Sequence, residues 1–390
     1  MGDSIFMVSG EESGDKHGAS LISALKGLMP SVEVAGMGGE RMRREGLSGL
    51  DSKAVSVVGL VEIVEKLPGI LRSFKALKGR LKSGQFDAVV LIDLPDFNLR
   101  FAKEARKLGI PVVYYISPQV WAWRKNRVKK IAALVDKMLV VFPFEERLYK
   151  DAGVDVEYVG HPLAETAACP LTREGARSKL GISPGATVVS LLPGSRTGEV
   201  KRTLPALLGA ASLVQKGVEG ECVFIIPAAT SIDGGIINAF IKEAPKGLDA
   251  RVVRDSMYEA LRASDAAAVT SGTATLETAL IGTPMVIVYK MSPVSFRIGK
   301  MLIGVESVGL PNIIAGRKVV PELLQDDATP ERISGELLSM LRDRDRRRGM
   351  EEEFKRIRAL LGTGGAAKNA ALAIQKVIAK RKAAVPTRAR

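Results

Sequence analysis

Cysteine and histidine are scarce, since the chain of 390 residues contains two of each. Cys169 and Cys222 lie far apart, and together with His17 and His161 they offer neither a disulfide framework nor the spacing of zinc ligands. The Asp-x-Asp pair at residues 343–345 is flanked by arginines, which favours a salt-bridged helix surface over a cation site. We therefore expect a protein of a reducing, cytoplasmic compartment that needs no metal and no other cofactor.

Long apolar runs are absent as well. No stretch of about 18 uninterrupted apolar residues occurs, so the sequence predicts no membrane-spanning helix. The first ten residues have no basic region and only a strand-length apolar run, which argues against a signal peptide. If the protein works at a membrane, we expect it to lie on the surface.

Positive charge is in excess, with a net charge of +14. Residues 341–390 contain 15 Lys and Arg against 5 Asp and Glu, so most of the excess lies in this tail. Such a charge favours an anionic partner: nucleic acid, a membrane face or a phosphorylated substrate. Phe354 is the one aromatic residue of the tail, which leaves nucleic acid without a stacking platform.

Short apolar runs alternate with segments of helical period, which is typical of βαβ units. The predicted strands span residues 5–8, 32–35, 88–92, 112–116, 138–141 and 156–159, then 188–192, 223–226, 250–253, 266–269 and 285–288. The pattern predicts an α/β fold with two Rossmann-like, doubly wound domains that face a central crevice. We expect these domains at residues 1–165 and 166–345, followed by a basic helical tail at 346–390 that frays towards its end.

The turn between the first predicted strand and the first helix has the sequence Gly-Glu-Glu-Ser-Gly-Asp. A glycine-rich turn at this place presents backbone N–H groups to an anion or a sugar hydroxyl, although it lacks the ending of a Walker A loop. Ser13 and Asp15 either cap the helix or contact a ligand together with Glu11 and Gly14. Three acidic side chains at one turn favour the ligand. His17, just beyond, is a candidate base.

Asp93 directly follows the apolar strand at residues 88–92, at the strand end where doubly wound folds place their active crevice. A carboxylate there can act as a general base. Asp96 follows Pro95 and precedes a helical segment, so we expect it to cap that helix.

Both tryptophans, Trp121 and Trp123, come after the strand at residues 112–116, with Arg124 beside them. Aromatic rings next to an arginine form walls that stack on sugars and pair with phosphates. Taken alone, the pattern favours core or interface anchors. His161, between a glycine and a proline, is either structural or a hydrogen-bond donor that lines the crevice.

A loop of the second half contains Gly194, Ser195 and Arg196 directly after a predicted strand. Its N–H groups and the arginine charge suit a diphosphate, because a cation neutralises the charge that develops on a leaving group.

A further loop, with Ser271, Gly272 and Thr273, opens a helix in which Glu277 lies one turn along. Glu277 either reaches ribose hydroxyls or complements the helix dipole. Farther along, residues 310–316 and 322–325 by themselves predict only a turn and a helix.

Residues 67–82 predict an amphipathic helix. Its apolar positions are Ile70, Phe74, Leu77 and Leu81, and its basic positions are Arg72, Lys75, Lys78, Arg80 and Lys82. The helix either lies in an anionic bilayer interface or packs on its own sheet with a solvated basic face. Residues 296–303, which mix apolar and basic side chains, and the basic tail are further candidates for membrane contact.

Together, in order and spacing up to about residue 345, these segments resemble the lipid-A-disaccharide synthases, a family of GT-B-type glycosyltransferases. The residues that carry the resemblance are 10–15, 58–60 with Glu62, 92–98, 117–124, 142–145, 160–163, 191–196, 271–277 and 310–312 with Gln325. Leu94 departs from the family pattern, because at this position beside Asp93 the pattern leads us to expect a small residue.

The resemblance implies an inverting, metal-independent transfer that joins UDP-2,3-diacylglucosamine to 2,3-diacylglucosamine 1-phosphate, releasing UDP and forming the β(1→6) disaccharide of lipid A. It implies an acceptor-side first domain and a UDP-sugar-binding second domain. Asp93 is then the expected base, with Glu11 and His17 as further catalytic candidates. Asn312 and Gln325 join the expected substrate-binding residues.

Acylated substrates imply a protein that binds peripherally to the anionic, cytoplasmic face of the inner membrane, because each CH₂ drawn into water costs about 0.8 kcal/mol. The sequence leaves a homodimer open. One rival interpretation is another two-domain UDP-sugar enzyme, an epimerase or a transferase with a different acceptor. The other, less favoured, is a basic nucleic-acid-binding protein.

Overall fold

The computed structural model describes residues 2–52, 60–121, 127–245, 247–291 and 307–384. The chain divides into two compact units. The first comprises Met1–Pro162 and Gly364–Arg390, and the second comprises Leu163–Thr363. The tail therefore divides between the units, instead of following the second domain from residue 346 as the sequence predicts.

The first unit is built on one parallel sheet. Its strands are β1 Ser4–Ser9, β2 Glu33–Gly38, β3 Ser48–Asp51, β4 Ala88–Ile92, β5 Val112–Tyr115, β6 Lys137–Val140 and β7 Val156–Tyr158. Its helices up to residue 162 are α1 Glu12–Leu28, α2 Glu40–Arg44, α3 Leu60–Ser83, α4 Pro95–Lys107, α5 Arg127–Ala132 and α6 Pro143–Lys150. The strand order is β3-β2-β1-β4-β5-β6-β7. In β1 and β4, Ser9 lies opposite Ile92, so the loops that follow these two strands begin side by side.

The second unit repeats the design. Its strands are β8 Thr187–Leu192, β9 Cys222–Ala228, β10 Ala250–Arg254, β11 Ala266–Thr270, β12 Met285–Tyr289 and β13 Glu322–Leu324, in the order β10-β9-β8-β11-β12-β13 and all parallel. Its helices are α7 Leu163–Thr166, α8 Arg173–Lys179, α9 Thr197–Gly217, α10 Gly234–Glu243, α11 Met257–Ala263, α12 Thr273–Ile281, α13 Leu310–Ala315, α14 Pro330–Arg342 and α15 Arg344–Leu360. This is the doubly wound order of a nucleotide-binding fold.

The strands form where the sequence has short, continuous apolar runs. All five residues of β4 and of β11 are buried, as expected for strands covered by helices on both faces. The predicted α/β class with two doubly wound sheets is confirmed, and the bounds of each predicted strand lie within three residues of those of an observed one. The helix predicted around residues 322–325 is wrong, because residues 322–324 form β13 and pair with β12.

Helix α3 contains the predicted amphipathic segment. Leu77 and Leu81 are buried, and the Phe74 ring packs against Phe97 and Phe101 with centroids 5.4 and 5.9 Å apart. The apolar face therefore packs on its own unit instead of facing outwards. Leu71, which is 57% exposed, lies outside that packing.

The last helix, α16 Ala366–Ala384, returns to the first unit and packs on α1. Asn369 Nδ2 donates to the carbonyl of Val159 at 3.1 Å, and Arg381 donates to the carbonyl of Phe86. Lys382 pairs with Asp3. The basic helix is thus part of the first unit's packing. The predicted fraying of residues 380–390 is wrong for residues 380–384, which belong to this helix, and residues 385–390 lie outside the described residues.

None of the described helices combines the length and the apolar composition that crossing a bilayer requires. The residues 296–303 proposed for membrane contact lie outside the described part of the chain.

Candidate active site

Strained backbone marks the carboxyl ends of strands in both units. Among the described residues, the non-glycine residues with positive φ are Asp93 (50°), Leu94 (45°), Ile116 (66°), Asp255 (54°) and Gln325 (52°). All five directly follow β4, β5, β10 or β13. Such conformations cost on the order of 1–3 kcal/mol each and cluster at functional sites. The carboxyl edges of the two sheets are therefore the candidate sites, in agreement with the rule for doubly wound folds.

Asp93 is held in its strained conformation by two side chains. Its backbone carbonyl accepts hydrogen bonds from Asn98 Nδ2 at 2.7 Å and from the Tyr114 hydroxyl. Asn98 also donates to the carbonyl of Ile92 at 3.0 Å. Burial raises the pKa of the Asp93 carboxyl, against a hydrogen bond from the Leu94 N–H that lowers it. A raised pKa makes the carboxylate a stronger proton acceptor than an ordinary aspartate.

The expected cap at Asp96 is wrong. The N-cap of α4 is Leu94, and no side chain caps this end of the helix. Asp96 instead lies in the first turn and pairs with Arg127 on α5.

The turn after β1 contacts the Asp93 loop. A Cβ atom on Gly10 would lie 2.3 Å from Leu94 Cδ2, so only glycine leaves room for this leucine. A Cβ atom on Gly14 would lie 2.4 Å from Ser9 Oγ. Leu94, the departure from the family pattern, therefore packs on Gly10 and brings the two loops into contact.

Asp15 has a structural function that the sequence did not predict. Its carboxylate is buried and accepts hydrogen bonds from the backbone N–H groups of Arg41 and Met42, both at 3.0 Å. It therefore satisfies the first turn of α2 instead of capping its own helix, which begins after Glu11 without a side-chain cap. Ser13, on the same turn, is exposed.

The two histidines lie in the same unit, near enough to affect each other. Burial lowers the pKa of His17 to about 4, and burial together with His17 lowers that of His161 to about 3. The His161 ring contacts Phe142 at a centroid distance of 5.0 Å. Both imidazoles are therefore neutral near pH 7, and each can donate one hydrogen bond and accept another. A pKa near 4 makes His17 a weak proton acceptor.

Trp121 belongs to an aromatic cluster over a buried carboxylate. Its indole Nε1 donates to Glu145 Oε1 at 3.1 Å, and its ring meets Phe144 edge-on at 5.4 Å. The backbone N–H of Phe142 donates to the other oxygen of Glu145 at 3.2 Å. Burial raises the pKa of Glu145 to about 7. Glu145 was not a predicted site residue; Arg124, which was, lies outside the described residues together with Trp123.

In the second unit, the predicted diphosphate loop already contains a carboxylate. The side chain of Glu199 accepts a hydrogen bond from the backbone N–H of Ser195 at 3.3 Å and pairs with Arg196 at 3.4 Å. A Cβ atom on Gly194 would lie 2.7 Å from this carboxylate. Arg196 is exposed and stands directly before α9. The loop therefore binds an anionic group through the contacts predicted for a phosphate.

The loop after β11 has the predicted form. Gly272, with φ +151°, is the N-cap of α12, and Thr273 is its first residue. The Ser271 hydroxyl donates to the carbonyl of Val308 at 3.0 Å. Glu277, within α12, accepts a hydrogen bond from the Tyr258 hydroxyl at 2.7 Å.

Asn312 and Gln325 differ in whether their side-chain amide groups already have hydrogen-bond partners. Asn312 is buried, and its amide contacts the backbone of Val319 and Val320 and the carboxylate of Glu322 at 2.7–2.8 Å. This placement favours a structural role. The buried Nε2 of Gln325 has no hydrogen-bond partner among the described residues.

Within the described part of the chain, no group of three or more His, Cys, Asp or Glu side chains is arranged to hold a metal ion. A cavity of about 460 Å³ in the second unit is lined by Arg317, Lys318, Arg346 and Glu353 among others. Its residues 319–321 precede β13, so it lies at the amino end of that strand.

The family model of the lipid-A-disaccharide synthetases matches residues 5–377. The chain belongs to this family. The lipid-A-disaccharide synthase of Syntrophus aciditrophicus is 46% identical over 96% of this chain and 98% of its own length. That of Geobacter metallireducens is 43% identical, over 97% and 98%.

Solved structures at much lower identity share the fold of this lipid-A-disaccharide synthetase family member. MurG of Acinetobacter baumannii has a TM-score of 0.60 at 16% identity, covering 96% of this chain and all of its own. The calicheamicin glycosyltransferase CalG4 has a TM-score of 0.60 at 13% identity, covering 97% and 99%. The UDP-GlcNAc 2-epimerase of Neisseria meningitidis, bound to UDP-GlcNAc, has a TM-score of 0.62 at 12% identity, covering 96% and 99%. These likenesses show the GT-B fold.

Proposed function

We propose that this protein joins UDP-2,3-diacylglucosamine to 2,3-diacylglucosamine 1-phosphate, forming the β(1→6)-linked lipid A disaccharide 1-phosphate and releasing UDP. The observation that carries the proposal is the family match over residues 5–377. The comparisons do not favour the alternative of an epimerase. The relatives at 43–46% sequence identity are lipid-A-disaccharide synthases, whereas the epimerases share the fold at about 12% sequence identity.

The test is to mix the purified chain with both acylated monosaccharides and to follow the products by mass spectrometry. We expect disaccharide 1-phosphate and UDP in equal amounts. The donor incubated alone is the control. An epimer of the donor formed without acceptor, or no disaccharide with both substrates present, would overturn the proposal.

Asp93 is the general base of the proposed mechanism. Direct displacement at the anomeric carbon inverts the configuration and requires one group that takes the proton of the acceptor hydroxyl. Asp93 combines a strand-end position, a fixed backbone and a raised pKa. His17 and His161 then bind substrate as neutral hydrogen-bonding groups, since their lowered pKa values make them weak bases. Glu11, at the start of α1, is the remaining acidic candidate at this edge.

The second unit binds the donor in this proposal. Ser195 and Arg196 hold the diphosphate and stabilise the charge that develops on departing UDP. The diphosphate displaces the carboxylate of Glu199, which accepts the same N–H and pairs with the same arginine. Gly272 and Thr273 leave the start of α12 open to the nucleotide, and Glu277 accepts hydrogen bonds from the ribose.

We further propose that the protein reaches its acylated substrates by binding peripherally to the anionic cytoplasmic face of the inner membrane. The basic side chains of α3, rather than its apolar face, support this. Arg72, Lys75 and Lys82 are exposed, and Leu71 stands beside them. Each basic residue near an anionic surface contributes about 1 kcal/mol of attraction. Lys78 contributes less, since it pairs with Glu104 at 2.8 Å.

A further inference from the structure

We propose that Tyr258 is a positioning residue that orients the carboxylate of Glu277 towards the ribose of the donor. This inference rests on the proposed function, in which Glu277 binds the ribose hydroxyls.

The contact joins two elements that are separate in the sequence. Tyr258 lies in the first turn of α11, directly after β10, and Glu277 lies within α12. The Tyr258 hydroxyl donates to Glu277 Oε1 at 2.7 Å, and both side chains are half-buried. A hydrogen bond to a charged carboxylate is among the stronger hydrogen bonds in proteins.

A second contact of the Tyr258 hydroxyl determines which group is the donor in this hydrogen bond. The Tyr258 hydroxyl also makes a hydrogen bond with the side chain of Thr166, and burial beside Glu277 raises the pKa of the phenol. The phenol therefore keeps its proton at neutral pH. Because a carboxylate can only accept, that proton is directed at Glu277, and Thr166 donates to the phenol oxygen.

The arrangement leaves one carboxylate oxygen for a ligand. Among the described residues, the Glu277 carboxylate accepts a hydrogen bond from Tyr258 through Oε1, and Oε2 accepts none. A glutamate has several side-chain rotamers, and fixing one of them before binding lowers the entropic cost of capturing the ligand. An acceptor-only oxygen requires a donor from the ligand, which the 2′ and 3′ hydroxyls of a ribose provide and a phosphate does not.

Calorimetric titration with UDP and with 2′,3′-dideoxy-UDP tests the inference, because the second nucleotide lacks the hydroxyls and keeps the diphosphate. The wild type should bind UDP at least about tenfold more tightly, as expected for hydrogen bonds to a charged group. Glu277→Gln should remove most of that preference. Tyr258→Phe should weaken UDP about three- to tenfold and leave dideoxy-UDP unchanged, so that the ratio of the two affinities falls. Thr166→Val should have a smaller effect of the same kind, and it keeps the phenol ring in place.

The remaining outcomes distinguish a failure of the role of Tyr258 from a failure of the ribose site at Glu277. If Glu277→Gln loses the preference for UDP and Tyr258→Phe keeps it in full, the role of Tyr258 is refuted and the proposed ribose site stands. If Tyr258→Phe weakens both nucleotides equally, the tyrosine is merely structural and the inference fails. If Glu277→Gln keeps the preference, the ribose does not bind at Glu277, and both assignments fail.

Discussion

The buried carboxyl of Glu145 makes the stability of the first unit depend on pH. Burial raises its pKa from the ordinary 4.5 to about 7, although Trp121 and the Phe142 N–H both donate to it. The folded protein therefore holds this proton more tightly than the unfolded chain does. The resulting stabilisation is complete below pH 4.5 and is lost as the pH rises to about 7. At about 1.4 kcal/mol per pKa unit, the loss over the whole range amounts to about 3.5 kcal/mol.

The substitution Glu145→Gln isolates this effect, because glutamine does not ionise. We expect the unfolding free energy of the wild type, relative to the variant, to fall by about 2.5 kcal/mol between pH 5 and pH 8. The comparison is needed because His17 and His161, whose pKa values are lowered to about 4 and 3, add stability as the pH rises over part of this range.

Urea unfolding followed by tryptophan fluorescence is the assay, since Trp121 and Trp123 are the two tryptophans of the chain and both lie in the first unit's sequence. Glu146→Gln is the matched control on the same helix, because that carboxylate is only partly buried, accepts one hydrogen bond from the Tyr158 N–H at 3.2 Å and pairs with Lys150 at 3.6 Å. Its effect should be similar at both pH values. A difference between the wild type and Glu145→Gln that stays constant with pH would refute the reasoning.

Three further predictions concern activity and membrane binding. Asp93→Asn keeps the shape of the base and removes its basicity, so turnover should fall by at least about 100-fold with UDP affinity nearly unchanged; a near-normal rate would exclude Asp93 as the base. Arg196→Ala should weaken UDP binding and slow the reaction, whereas EDTA should do neither, and inhibition by EDTA that magnesium reverses would contradict a metal-independent transfer. Charge reversal at Arg72, Lys75 and Lys82 should release the protein from anionic vesicles in a co-sedimentation assay without affecting UDP binding, and unchanged sedimentation would leave α3 as an ordinary packing helix.

The fold could be predicted because buried parallel strands are continuous apolar runs. The strands that the sequence did not show are β3 and β13, which lie at the edges of their sheets. Residues 48–51 have the sequence Ser-Gly-Leu-Asp and are partly exposed, so no apolar run marks them. Residues 322–324 are too short for periodicity to separate a strand from a helix. An edge strand pairs on one side only and needs less apolar sequence.

The candidate site could be predicted only where a residue's position along the chain determines its place in the fold. Asp93 is such a case, because the end of a parallel strand lies at the active edge of the sheet. Glu145 and Tyr258 are not, since their importance arises from partners 24 and 19 residues away in sequence. The function of Asp15 depends in the same way on N–H groups more than 25 residues farther along.

The basic tail shows why net charge alone is a weak guide to partners. Four of its fifteen basic side chains form ion pairs among the described residues: Arg346 pairs with Glu336, Arg348 with Glu352, Arg356 with Glu353, and Lys382 with Asp3. A paired charge contributes little to the field that an anionic partner meets, because the two charges cancel at distances beyond the pair. The exposed basic side chains of α3 therefore support an anionic membrane surface more directly than the net charge of the tail does.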